Sequence, residues 1–459
     1  MKPREIIVFI ALVLFAMVPN ILVVCLAADV ATFGARLLYI LTTIALYGAG
    51  MFLFHRRAYL YMISLGFAFS VFELFHLFLR GTTATMLYLY VWLKTPPEVL
   101  WSMVLEYAWI IPTTLILWVG FYVVAHYCIE RKHIAPLRWR MPMFAVLAAL
   151  FYISPMHVCP TGFLYELGRL ASFAIHVEKT LPQQRNFSYD ITPNKSKADE
   201  TMIVVLGETS YEQWQELGFN DSLTIHFDSV YTTCPVSGVS IPLLFSRATP
   251  TEHAPFFVEK GFIRAFNEGG YYSAWLSNYG YHDHFLMRIA DDCRYLSYKP
   301  GEPDTALLAP FREAMAQPEQ RHLIVMATQG GRDSQGFEQT PYLLRQLTDS
   351  LFTIHQPAVL VYIGSDNIHL TDKHSELHVP MMVWTNPNYR YRHRQLIRTL
   401  QAHRSSKFST DCIYHSLLHM AQIDCPLVDE RKAIGSEKFE AAERIYYLDE
   451  NLQLQSFVP

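Results

Sequence analysis

Two carboxylates and a serine stand where this sequence turns from apolar to polar. MIVVLGE (Met202 to Glu208) and AVLVYIGSD (Ala358 to Asp366) each read as a buried strand ending on an acid, and the second runs on into Asn367-Ile368-His369. Polar residues at the carboxyl ends of sheet strands are where open α/β folds place their sites. Glu208 and Asp366, brought together, would repel unless a cation sat between them. Between them in the chain lies TCPVSGVSIPLLFS, Thr233 to Ser246, a small-residue turn and then a helix-like apolar run opening near Ser237 or Ser240. A hydroxyl at a helix start lies at the positive end of the helix dipole, suited to binding or attacking a phosphate. The plainer reading of either serine is an N-cap.

The elements that must position these residues follow from the pattern after Thr201. YYSAWLSN (Tyr271–Asn278), HLIVMAT (His322–Thr328) and VPMMVWTN (Val379–Asn386) join the two strands above, with helix-like segments between them. Nearly continuous apolar strands alternating with helices predict a parallel sheet covered on both faces. Upstream, FLYELGRLASFAIHV (Phe163 to Val177) has an amphipathic helical rhythm, suited either to a membrane surface or to a connecting helix. LPQQRNFSYDITPNKSKADE then reads as a polar linker.

The first third is different in kind. Hydrophobic residues make up 51% of the 459 and charged residues 17%, with the excess concentrated before residue 160. Five apolar stretches, Ile6–Ala27, Leu37–Phe54, Tyr59–Leu79, Trp101–Cys128 and Met141–Pro155, are each about long enough to cross a ~30 Å hydrocarbon core, the last being short. Lys2, Arg4, Arg56, Arg57, Arg131, Lys132, Arg138 and Arg140 fall on one side of these spans; Arg36, Arg80 and Lys94 fall on the other. The richer side is predicted to be cytoplasmic, which puts everything after Pro155 outside, in a periplasm. Cys159, Cys234, Cys293, Cys412 and Cys425 would then lie in an oxidising compartment, an odd number that leaves at least one thiol. A net charge of -4 argues against a nucleic-acid partner.

Taken together, these segments resemble the membrane-bound phosphoethanolamine transferases of the alkaline phosphatase and sulfatase superfamily, over almost the whole chain. VVLGETS (Val204–Ser210) resembles that family's opening strand, whose Glu binds zinc, here Glu208. TCPVSGVSIPLLFS resembles its nucleophile segment, and the family's nucleophilic Thr falls on Ser237. AFNEGGYYSAWLSN resembles a helix and strand ending in Ser-Asn, and STDCIYHSLLHMAQI its closing helix, with His415 in register. The resemblance implies an N-terminal five-helix transmembrane domain over 1–158, an amphipathic helix and linker over 159–200, and a periplasmic α/β domain of the alkaline phosphatase/sulfatase type over 201–459. It also implies a multi-pass protein of a bacterial inner membrane that moves phosphoethanolamine from a phospholipid donor to lipid A, lipopolysaccharide core or another periplasmic glycan.

The chain departs from the family at several positions. The family's Ser-Asp-His-Gly-Glu is here Ser365-Asp366-Asn367-Ile368-His369, so a zinc-binding His has become Asn367. Imidazole suits zinc, whereas an amide oxygen suits a harder cation such as calcium. His369, His374 or His378 are alternative donors, and His374 is matched to a second substrate-side His. In MATQGGRDSQGF the family's phosphoryl-binding His falls on Arg332, which can hold a phosphate bidentately but is no metal ligand. A Pro-Cys after the nucleophile is Pro242-Leu243, which removes a local disulfide with Cys234. In the loop LYVWLKTPPEVLW, Thr95 and Glu98 match substrate-binding positions off by one step, and Glu73 and Glu106 are carboxylates in or near apolar stretches. The predicted metal set is Glu208, Ser237, Asp366 and Asn367, holding zinc, with calcium or no metal as alternatives. Two other readings follow from the departures: a non-catalytic relative that binds phosphorylated lipid or glycan, and a sulfatase-like hydrolase.

Overall fold

The computed structural model describes residues 3–26, 56–80, 97–128, 162–193, 200–207, 209–219, 221–278, 289–319, 321–328, 334–364, 377–449 and 452–459, with isolated helical residues between 34 and 142. The chain divides into two compact units, Met1–Ile175 and His176–Pro459.

The first unit contains α1 (Pro3–Ala16), α2 (Val18–Leu26), α3 (Arg56–Arg80), α4 (Pro97–Glu106) and α5 (Ile110–Cys128). Two described helices are long and apolar enough to cross a membrane, over Ala58–Phe78 and Ile110–Tyr127. The predicted stretches Leu37–Phe54 and Met141–Pro155 lie almost wholly outside the described residues. Two others differ from the single helices expected. Ile6–Ala27 is broken at Met17, and Trp101–Cys128 is broken at 107–109. In each case a proline, Pro19 or Pro112, falls in the first turn of the helix that follows. A proline cannot donate to the carbonyl four residues back, so the helix ends and restarts just before it, where the missing N–H costs nothing. α1, α3 and α5 share one core around Leu12, Tyr59, Ile63, Phe67 and Phe121.

The division between the units falls inside α6 (Gly162–Arg185), which covers the predicted amphipathic segment. α6 runs past Pro182 to Arg185, so the first residues of the predicted linker are helical. The next ones are docked rather than loose. Glu268 accepts the backbone N–H groups of Tyr189 and Ile191, and the Tyr189 ring is buried in the core.

The second unit runs β1 (Thr201–Gly207), α7 (Tyr211–Leu217), β2 (Thr224–Phe227), β3 (Val230–Tyr231), α8 (Ser237–Phe245), α9 (Phe262–Glu268), β4 (Tyr272–Ser277), β5 (Tyr295–Tyr298), α10 (Leu308–Met315), β6 (His322–Ala327), α11 (Ser334–Thr353), β7 (Ala358–Gly364), β8 (Met381–Thr385), α12 (Pro387–Arg392), α13 (Arg394–Ala402), β9 (Phe408–Ser409), α14 (Ile413–Met420), β10 (Ile445–Leu448) and β11 (Leu454–Phe457). Seven strands form one sheet in the order β2-β8-β7-β1-β6-β4-β5. Successive residues of β1 serve opposite faces. Met202, Val204 and Leu206 join the core under α8, α9 and α14, while Ile203 and Val205 join the core under α7, α10 and α11. Burial on both sides is why these strands read as nearly continuous apolar runs.

The five strands expected from sequence are present, and β7, β1, β6 and β4 run parallel to one another as predicted. β8 runs antiparallel to β7. Its carboxyl end, Thr385-Asn386, therefore lies at the opposite edge of the sheet from Gly364, and Asn386 caps α12 by accepting the Tyr389 N–H.

Candidate functional site

β1 and β7 lie side by side in register, with Gly207 opposite Gly364. The chain leaves these two strand ends directly into Glu208 and into Ser365-Asp366-Asn367. Glycine is required at both places by close packing. A Cβ on Gly207 would sit 2.4 Å from the Tyr362 hydroxyl, and one on Gly364 would sit 2.6 Å from the Pro380 ring and 3.0 Å from the Thr209 carbonyl. Neither the proline ring nor the backbone oxygen is free to move aside.

The turn after Glu208 is pinned on its far side. The buried Thr209 hydroxyl accepts from Tyr362 of β7 at 2.9 Å, and Tyr362 is itself stacked on Trp214 at 4.5 Å between ring centres. Ser210 then closes a capping box with Gln213 at the start of α7. The strand that leads to Asp366 thus also holds the turn that follows Glu208.

Ser237 is the first residue of α8, and the N-cap is Val236, which offers no capping side chain. The N-cap explanation for Ser237 is therefore excluded, since the capping position is one residue earlier. Ser240 lies in the first turn, is buried, and donates its N–H to the Val236 carbonyl. The loop before the helix is clamped by three separate segments. The Thr232 N–H donates to Leu377, the Thr233 N–H donates to the Thr410 hydroxyl, and the Leu448 N–H donates to the Thr233 carbonyl. Thr232 closes the turn by donating its hydroxyl to the Cys234 carbonyl.

Of the predicted site residues, Glu208, Asp366, Asn367, Arg332, His374 and Thr95 lie outside the described residues, as does His369. Ser237 and Glu98 sit in described helices, with their side chains outside the described set. Among the described residues, no three His, Cys, Asp or Glu side chains gather as a metal cluster would require.

His378 and His415 are placed in full. His378 stacks on Tyr211 at 3.8 Å and on Tyr231 at 5.2 Å, and its Nε2 meets the Asp228 carbonyl at 2.9 Å, so in the neutral ring Nε2 is the donor. His415, on α14, is buried, and its Nδ1 accepts the Asp429 N–H at 3.0 Å. That contact requires a lone pair on Nδ1 and places the proton on Nε2. Burial, with Lys432 and Arg247 nearby, pushes its pKa down to about 4. His415 is thus a neutral staple between α14 and the 429–432 segment.

The unfolded chain takes up a proton near pH 6.5, whereas folded His415 resists until about 4. Its contribution to stability is full above pH 6.5 and is lost as pH falls through that window, about 3 kcal/mol in all. Burial also lowers His226, His322, His378 and His419, which adds to the slope in the same direction. Chemical unfolding of the full chain at stepped pH should show this loss, with a shallower dependence in His415→Gln. Equal slopes in the two proteins would refute the staple.

Two further residues, Glu166 and Tyr362, were not singled out by sequence reasoning. Glu166 is fully buried, pairs with Arg169 at 3.1 Å and accepts the Met86 N–H at 2.7 Å; only the i,i+3 spacing of Glu and Arg hinted at it. Tyr362 carries no local signal, because its partner Thr209 is distant in sequence. Asn278, noted as a strand-end residue, is buried and donates to Asp304 and to the Glu302 carbonyl, each at 2.8 Å. Glu73 is buried within α3, and Glu106 is exposed at the end of α4. No disulfide joins Cys234, Cys293, Cys412 and Cys425, all of them buried.

No protein-family model matches the sequence, and no curated protein matches it. Solved structures do. Lipooligosaccharide phosphoethanolamine transferase A from Neisseria meningitidis, an integral membrane protein, superposes with a TM-score of 0.61 at 14% identity, covering 93% of this chain and 97% of its own. The C-terminal periplasmic domain of EcEptC from Escherichia coli, solved alone and in complex with zinc, gives 0.49 at 14% identity over 56% of this chain and 92% of its own. A protein in the alkaline phosphatase superfamily from Vibrio parahaemolyticus gives 0.41 at 10% identity over 62% and 83%. Over 93% of its length, the chain has the fold of the integral membrane protein lipooligosaccharide phosphoethanolamine transferase A.

Proposed function

We propose that this protein transfers phosphoethanolamine from a phospholipid to lipid A, lipopolysaccharide core or another periplasmic glycan, with Ser237 as nucleophile. The observation that carries the reading is the start of α8. A serine opens the helix, is not its cap, and follows a loop pinned by three segments. Such a hydroxyl lies beside the positive end of the helix dipole, which favours an approaching phosphate. Ser237 attacks phosphorus, the bond to diacylglycerol breaks, and the serine proton leaves with the diacylglycerol oxygen. The resulting serine phosphodiester is then attacked by the acceptor oxygen, whose proton returns to Ser237.

The donor set is all oxygen: two carboxylates, an amide carbonyl and a hydroxyl. Such a set fits a divalent cation and by its chemistry suits a hard one such as calcium; zinc is the first expectation because the resembled family binds it at the matching positions. A bound metal would neutralise phosphoryl oxygens and lower the pKa of the Ser237 hydroxyl. Arg332 and His374 are assigned to the phosphoryl group, and Thr95 and Glu98 to the lipid headgroup. In this reading the N-terminal unit spans a bacterial inner membrane five times, residues 159–200 connect the units, and 201–459 form the periplasmic catalytic domain. The membrane location brings both lipidic substrates within reach.

The test is the full chain in vesicles containing phosphatidylethanolamine, assayed for diacylglycerol release with zinc or calcium added. Release together with a serine phosphodiester on the Ser237 peptide is expected. No release and no labelled peptide under either metal would remove the transferase reading, and sulfate-ester hydrolysis in its place would point to a sulfatase-like hydrolase.

A further inference from the structure

We propose that the outer face of α12 and α13 docks on anionic lipid headgroups. No Asp or Glu occurs in residues 377–410, whereas Arg390, Arg392, Arg394, Arg398, Arg404 and Lys407 all fall there, in a chain whose net charge is -4. Two of these cations are engaged within the fold: Arg390 donates to the Thr385 hydroxyl and the Leu223 carbonyl, and Lys407 donates to the Pro459 carbonyl. Arg392, Arg394, Arg398 and Arg404 are exposed, and none forms an ion pair among the described residues. Among the described residues, three carboxylates meet the stretch 390–407, and none of them meets an arginine: Glu200 meets His393 at 2.6 Å, Asp228 accepts from the Ser405 hydroxyl and Glu437 from the Gln395 amide.

The arrangement is unfavourable for an isolated helix. Arg394 opens α13, where the dipole is already positive and the first turn holds no acid. Arg394 and Arg398 are like charges one turn apart. The inner face of α13 packs Leu396, Ile397 and Leu400 into the core, and Arg394 and Arg398 lie on the exposed side. An anionic surface would relieve both penalties.

Tyr391 favours a lipid surface over a soluble polyanion. Its ring is 74% exposed among the arginines and carries the Arg394 guanidinium at 4.7 Å. Tyrosine is enriched at membrane–water interfaces, and clustered arginines are drawn to anionic headgroups. The inference rests on the membrane anchoring in the reading above, and not on its transfer chemistry.

The experiment uses the full chain in nanodiscs of phosphatidylcholine and in nanodiscs that also contain phosphatidylglycerol. Hydroxyl-radical oxidation of Tyr391 is read against Tyr342, which is 54% exposed on α11. Phosphatidylcholine discs are also titrated with vesicles of either composition. Tyr391 should be protected, and Tyr342 unchanged, wherever phosphatidylglycerol is present, whether in the disc or in added vesicles. Protection should fade as salt rises. In the vesicle titration each Arg→Gln change at 392, 394, 398 or 404 should weaken binding about fivefold. Equal oxidation in both lipid compositions would overturn the proposal. So would full protection in the fourfold Gln variant, or protection by heparin but by neither lipid. Diacylglycerol release plays no part in the readout, so a failed transferase assay leaves this test intact.

Discussion

Ser237→Ala removes diacylglycerol release from phosphatidylethanolamine, by at least about a thousandfold, because a covalent route has no substitute for its nucleophile. The serine phosphodiester disappears with it. Ser237→Thr retains turnover, since threonine presents the same oxygen one bond from Cβ at the same helix start. Ser240→Ala separates the two candidate serines: its position lies within the helix, buried, three residues past the start. Turnover at the wild-type rate in Ser237→Ala would exclude the nucleophile assignment whatever metal is bound. Turnover lost in Ser240→Ala but kept in Ser237→Ala would move the assignment to Ser240.

Asn367→His raises zinc affinity by more than about tenfold. A directly bound ligand matters more than the supporting contacts whose loss typically costs ~10–100-fold. The wild-type chain should accordingly hold zinc loosely, and its turnover should climb as zinc is added. Isothermal titration of both proteins with zinc and with calcium reads this directly, alongside diacylglycerol release. If the substitution instead weakens metal binding and calcium supports the wild type better, the site is tuned for a harder cation, for which an amide oxygen is the better ligand. If neither metal binds either protein, and the biological role survives both Asn367→His and Ser237→Ala, the chain is the non-catalytic relative that the altered positions also allow.

Much of the architecture was legible in the sequence because burial leaves a periodic trace. The five central strands are nearly continuous apolar runs because helices cover both faces of the sheet, and the sequence named each to within a residue or two. Strand direction was not legible. A buried strand has the same composition read either way, so β8 was expected to be parallel, and only its pairing with β7 showed that Asn386 lies at the far edge and caps a helix. The helix breaks at Met17 and at 107–109 were written in Pro19 and Pro112, yet continuous hydrophobicity concealed them.

The candidate site divides in the same way. Glu208, Ser237 and Asp366 could be named from sequence because polar residues at strand ends and at helix starts are local patterns. What holds their segments in place is long-range and left no such pattern. Tyr362 reaches Thr209 from a strand distant in the chain, and Leu377, Thr410 and Leu448 converge on the loop before Ser237. Whether Ser237 caps its helix or opens it turned on one residue of register, which the fold decided in favour of Val236 as the cap. By itself the sequence determined the kinds of element and the residue types at their ends, because both depend on neighbours along the chain. Strand direction, helix register and the clamps around the site depend on contacts between distant segments, and only the tertiary structure could decide them.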